Sequence, residues 1–175
     1  SGAQAGDDLW VSGSIGDAGL GLLMRQGKLI GGLGSLAYAY THPHPNLALG
    51  QALAPLVSAM ADVSDGLLLD AQRIAAASGV AVEVALDAVP LSDAWRMVRG
   101  DGVEDRIAAA TMGDDYRLLF AAPPGQAEAV LAAGLRCGAD VVRVGRCAAG
   151  AGLRLTFGGA AVPLPGRLGF VHAGR

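Results

Sequence analysis

Two short acidic stretches hold the side chains of this sequence that could do chemistry. The first is Met60-Ala61-Asp62-Val63-Ser64-Asp65-Gly66, where two carboxylates and a hydroxyl stand close together in a mostly apolar setting. Asp62 and Asp65, three apart across a tight turn, offer the hard oxygen ligands that Mg²⁺ prefers. A helix starting just after such a turn presents free N–H groups and a partial positive charge to a phosphate. Phosphate and carboxylates repel one another unless a cation lies between them, so the pattern makes chemical sense mainly as a metal–nucleotide site. The same residues also suit an ordinary helix cap, with Ser64 or Asp65 accepting from first-turn N–H groups. Spacing alone favours the cap.

The second stretch is Gly113-Asp114-Asp115-Tyr116-Arg117, just ahead of an apolar run at 118–122. Adjacent acids at a strand entrance form either a metal or substrate site or a solvated edge, and spacing favours the edge. Asp17, after Ser14-Ile15-Gly16, reads as an N-cap before it reads as a group near a phosphate. His42 and His44 alternate with Pro43 and Pro45 in an extended segment and point to one side. They could pair on a metal, although histidines in a Pro-rich turn are more often solvated loop residues. Cys137 and Cys147 are too few for a disulfide framework and too isolated for zinc, which leaves buried thiols.

The elements that must position these groups are legible from periodicity. A buried strand at 55–60 leads into the first acidic stretch. After it, Leu67, Ala71, Ile74 and Ser78 recur at helical spacing, and Gly79 is placed to end that helix. Further strands are expected at 7–13, 80–87, 118–122, 140–146 and 153–157, with the late neighbouring strands pairing. Helices are expected at about 18–26, 47–54, in the stretches after Pro90 and from 101 to 112, and at 126–136. Residues 28–40 read as a glycine-rich loop. The implied fold class is α/β of the α+β type, a two-layer sandwich with a mixed sheet and helices packed on one face.

The 175 residues suit one domain with a real core. A net charge of −3 with scattered Lys and Arg, and only 5% aromatic residues, argue against nucleic-acid binding. No run of 18 apolar residues and no leader pattern is present, so the expected setting is cytoplasmic and not membrane-bound.

With both acidic stretches placed, the sequence resembles the C-terminal domain of thiamine-monophosphate kinase, in the aminoimidazole-ribonucleotide-synthetase superfamily. Gly6 to Asp17 is similar to that family's domain opening, Pro43-His44-Pro45-Asn46 with Gly50 to its proline turn, and Gly169-Phe170-Val171-His172 to its terminal motif. Asn46, Met112 and Arg117 stand where the family carries Arg, Gly and Glu. The resemblance implies ATP-dependent phosphorylation of thiamine monophosphate to thiamine diphosphate, with Asp62 and Asp65 binding Mg²⁺ and Ser64 contacting ATP. It puts Arg117 and Phe170 at the thiamine substrate. It also implies that residues 1–175 are one C-terminal domain, inactive alone, of a homodimeric kinase whose N-terminal ATP- and Mg-binding domain is absent from this chain. Rival readings are another superfamily enzyme, such as selenophosphate or aminoimidazole ribonucleotide synthetase, or a non-catalytic binding or assembly module.

Overall fold

A computed structural model describes residues 1–171. The elements, in order, are β1 (Asp8–Ser12), α1 (Asp17–Arg25), α2 (Gly34–Thr41), α3 (Leu47–Leu53), β2 (Ala59–Val63), α4 (Leu67–Ser78) and β3 (Ala81–Ala85). They are followed by α5 (Asp93–Arg99), α6 (Val103–Thr111), β4 (Arg117–Ala122), α7 (Ala127–Arg136), β5 (Val141–Ala148), β6 (Gly152–Phe157) and β7 (Ala160–Val162). Among the described residues the strands form one sheet in the order β2-β4-β1-β5-β3-β6-β7. Only β3 and β6 pair in parallel, so the sheet is mixed as the patterns imply.

Strand alternation sorts the core. Leu9 and Val11 of β1, with Leu119 and Ala121 of β4, face the main core, where Leu67, Leu68, Ala71 and Ile74 of α4 pack on them. Burying a leucine completely contributes about 1.5–3 kcal/mol, so α4 is held mainly by this face. The intervening Trp10 and Phe120 point the other way and stack with centroids 6.5 Å apart. There, α3 supplies Leu49 and Leu53 and α7 supplies Val130 and Ala133. The main helical layer therefore lies on one face as expected, and α3 with α7 adds a smaller cover on the second.

Three expectations about elements change. The strand expected at 55–60 lies at Ala59–Val63, because Pro55 to Ser58 finish the turn out of α3. The late strands β5 and β6 do not pair; β3 lies between them. Residues 34–41 form helix α2 instead of loop. Leu36 is buried with Leu20, Trp95 and Ala109, and this packing overrides the weak local propensity. The contact between α1 and α2 is backbone-close: a Cβ on Gly21 would collide with the Leu36 carbonyl. The first seven residues are also anchored, with Ala3 and Asp7 buried and the Ala3 N–H donating to Ser78 Oγ.

Candidate functional site

Antiparallel pairing of β2 with β4 sets Val63 opposite Arg117 and Asp62 opposite Leu118, so the two acidic stretches meet at one edge of the sheet. Past the ladder, the Asp114 N–H donates to the Ser64 carbonyl and the Tyr116 N–H to the Val63 carbonyl, both at 2.9 Å. The Phe170 N–H donates to the Asp65 carbonyl at 2.8 Å. Two remote segments, 114–116 and the one around Phe170, are thus laced to residues 63–65 by main-chain bonds. Asp114 and Tyr116 adopt left-handed φ values of 69° and 50°, a conformation that costs non-glycine residues about 1–2 kcal/mol each. Gly113 must be glycine, since a Cβ there would strike the Ser64 carbonyl.

The turn into α4 is built differently from the expected cap. Gly66 is the N-cap, with φ 119° and no side-chain acceptor, so neither Ser64 nor Asp65 caps the helix. Asp70 Oδ2 instead accepts the N–H groups of both Ser64 and Asp65, each at 3.1 Å. Side chains of a helix lean toward its N-terminus, which is how a residue one turn inside α4 reaches back to the loop. Arg73 Nη1 then bridges Asp70 Oδ1 at 2.7 Å and Asp65 Oδ2 at 2.6 Å. Burial pushes the Asp70 pKa above its ordinary value, against the opposing effect of the Asp65 N–H and Arg73. The Asp65 carboxylate holds the Arg73 pKa up. Sequence reasoning missed Asp70 and Arg73; an acid four positions into a helix, with a base three residues later, is the signal that was available.

Asp115 is not the solvated edge that spacing favours. It is buried, its Oδ2 accepting the Gly16 N–H at 2.8 Å and its Oδ1 the Ala18 N–H at 3.3 Å, so it closes the N-terminus of α1 from across the fold. Burial pushes its pKa up to about 7, with Asp17 adding to the rise and the two N–H groups and Arg117 opposing it. Asp17 is the first residue of α1 and not its cap; its two oxygens accept the hydroxyls of Ser14 and Ser92.

Ser64, Asp65 and Phe170 line one cavity of about 730 Å³, together with Asp114, Tyr116 and the cations Lys28 and Arg167. Arg117 is not there. It lines a separate groove of about 1050 Å³ with His44 and Asp140. Asp62 is exposed, and by alternation with the core-facing Ala61 and Val63 it points to the sheet face away from α4. His42 stacks on Tyr38 with ring centroids 4.3 Å apart and lies 2.8 Å from Thr41 Oγ1. His172 of the terminal motif falls outside the described residues.

Residues 4–158 match the family described as AIR synthase related protein, C-terminal domain. The chain belongs to that family. Among AIR synthase related proteins, it is 41% identical over 174 residues to a thiamine-monophosphate kinase of Caulobacter vibrioides, covering 98% of this chain and 49% of that protein. A thiamine-monophosphate kinase of Salmonella typhimurium is 39% identical over 127 residues, 70% of this chain and 39% of that one. The chain spans about half the length, or less, of these curated relatives. Among solved structures, a thiamine-monophosphate kinase from Stenotrophomonas maltophilia superposes with TM-score 0.80 at 38% identity, covering 93% of this chain and 53% of the other. A ThiL protein complexed with AMPPCP and TMP gives 0.76 at 27% identity, over 98% and 53%. The Escherichia coli protein HypE also gives 0.76, at 30% identity, over 93% and 51%.

For Mg²⁺, the donor chemistry fits an ion carried on a nucleotide. Among the described residues no group of three His, Cys, Asp or Glu side chains could cage a metal. Mg²⁺ bound with substrate phosphates needs only one or two protein carboxylates, because phosphate oxygens and water complete its shell. Asp62 is an exposed carboxylate of that kind, and Asp65 sits at the cavity wall with its charge shared by Arg73. No helix among the described residues is long and apolar enough to cross a membrane.

Proposed function

We propose that this chain is the C-terminal domain of an ATP-dependent kinase that phosphorylates thiamine monophosphate, and that it contributes contacts to Mg-ATP and to substrate. The observation that carries the reading is the 41% identity to a thiamine-monophosphate kinase across 98% of the chain. It is supported by the lacing of both acidic stretches and Phe170 into one cavity wall. In this reading Asp65, from the cavity wall, and Asp62, from the opposite sheet face, each offer a carboxylate to Mg²⁺, which neutralises phosphate charge when bound. The Ser64 hydroxyl donates to the nucleotide, Phe170 packs on a planar ring of the substrate, and Arg117 offers its guanidinium to the substrate from the neighbouring groove. Positioning and electrostatics suffice for phosphoryl transfer, and no covalent enzyme intermediate is needed. A preceding domain supplies the remaining ligands, and the full-length protein is a homodimer.

The test is a coupled assay of ADP release with ATP, Mg²⁺ and thiamine monophosphate, run on the full-length protein and on this chain side by side. Release that depends on thiamine monophosphate is expected in the full-length protein only. Its absence there would sink the kinase reading. The likeness to HypE, a hydrogenase maturation protein, supports one second reading, a non-catalytic maturation module, which that negative result would favour.

A further inference from the structure

The cavity wall depends on two residues that do not line it. Ser64 and Asp65 follow the last residue of β2, and their N–H groups point back toward α4, where the Asp70 carboxylate receives both. The second oxygen of Asp70 is tied to Arg73, and the same Arg73 nitrogen reaches on to the Asp65 carboxylate. Backbone and side chain of the turn are therefore fixed by one carboxylate–guanidinium–carboxylate chain. The Asp70 side chain is 4% exposed and that of Arg73 52%. The buried member sets the path of the turn, and the exposed member aims the Asp65 side chain.

We propose that Asp70 and Arg73 are positioning residues for the Ser64–Asp65 turn, holding the Asp65 carboxylate in the orientation from which it engages Mg-nucleotide. The proposal rests on the kinase reading above. Groups hydrogen-bonded behind a ligating carboxylate commonly matter to metal affinity nearly as much as the ligand itself, and their removal costs roughly 10- to 100-fold. A purely structural role makes a different forecast. Asp70 is 4% exposed, so in that case cutting its pair would lower stability and leave the affinity of the folded protein alone. A purely electrostatic role forecasts the opposite sign, because removing the guanidinium leaves more negative charge on Asp65 for the metal.

The experiment titrates Mg²⁺ with AMPPCP into the full-length protein by calorimetry, for the wild type, Arg73→Met and Arg73→Lys. Since a single Arg73 nitrogen makes both contacts, a lysine ammonium can replace it. In the folded protein, at temperatures below the melting point of each variant, Arg73→Met is expected to weaken binding roughly 10- to 100-fold, and Arg73→Lys to restore it. Equal affinities in all three proteins, or tighter binding by Arg73→Met, would overturn the proposal. Amide hydrogen exchange supplies a readout that needs no ligand. Asp70→Ala should speed exchange at Ser64 and Asp65 selectively, and unchanged protection of those two amides would also overturn it. Should Asp70→Ala fail to fold, the Arg73 series still decides. A wild type that binds no Mg-AMPPCP would instead count against the kinase reading, and exchange at Ser64 and Asp65 would then decide whether the turn is held as described.

Discussion

Replacing Asp115 with Asn should invert the order of stability of the two proteins across the pH range. Asp115 is 8% exposed, and its carboxyl titrates near 7 in the folded chain against an ordinary value of 3.8, chiefly because burial disfavours the charged form. Between those values the folded chain keeps a proton that the unfolded chain has released. The native state then binds more protons, so the contribution is fully present below pH 3.8, falls as pH rises, and is lost above about 7. Three pH units at 1.36 kcal/mol each make the loss about 4 kcal/mol. Asn cannot ionise and escapes it. Its amide nitrogen must, however, face one of the two N–H groups that Asp115 now satisfies, at a cost of about 1 kcal/mol. Asp115→Asn should therefore be less stable than wild type by about 1 kcal/mol at pH 4 and more stable by about 3 kcal/mol at pH 8. Urea denaturation of both proteins at each pH unit measures this, since the other carboxylates cancel in the difference. Parallel stability curves would refute the burial argument.

Three further outcomes are expected. Gly113→Ala forces a Cβ against the Ser64 carbonyl and should cost about 1–3 kcal/mol, seen as a lower urea midpoint at constant slope; wild-type stability would mean that the two loops are not pinned as described. Asp62→Asn, at an exposed position whose side chain makes no hydrogen bond among the described residues, should change stability by less than about 0.5 kcal/mol while sharply lowering kinase turnover in the full-length protein. Unchanged turnover at saturating Mg²⁺ would remove Asp62 from the site. Cys147 is buried, and burial pushes its thiol up to about 11, whereas Cys137 is half-buried; iodoacetamide at pH 8 should label Cys137 first and Cys147 only on unfolding, as peptide mass mapping would report. Equal labelling rates would contradict the packing around β5.

Much of the architecture was readable because period and punctuation agreed. The helix after Gly66 has apolar residues at helical spacing and a glycine at its end, and α4 runs from Leu67 to Ser78 with Gly79 in the left-handed conformation. The strand at 80–87 alternates, and β3 lies within it. The segment that became α2 defeated the same logic. Gly31, Gly32 and Gly34 punctuate it as a loop, and its helix exists because Leu36 finds a pocket among α1, α5 and α6. Strand order was equally beyond local pattern: β5 and β6 are neighbours in sequence, yet β3 takes the place between them.

The candidate site divides along the same line. Residue types alone made Asp62 and Asp65 candidates for a metal-borne phosphate beside the commoner reading of a helix cap, since hard oxygens and a helix start carry that chemistry wherever they sit, and the family resemblance added the role of Ser64. Their surroundings were not legible. That Asp65 would be held by Arg73 and Asp62 left exposed on the other sheet face depends on which way β2 alternates and on how α4 lies over it. That Asp115 would be buried depends on α1 starting beside it, 97 residues away in sequence. Local sequence determined which groups exist and which segments are stiff, because those follow from side-chain chemistry and backbone preference within a few residues. Tertiary structure decided which groups share a cavity and which carboxylates are charged, because burial and hydrogen bonding between remote segments arise only when the sheet assembles.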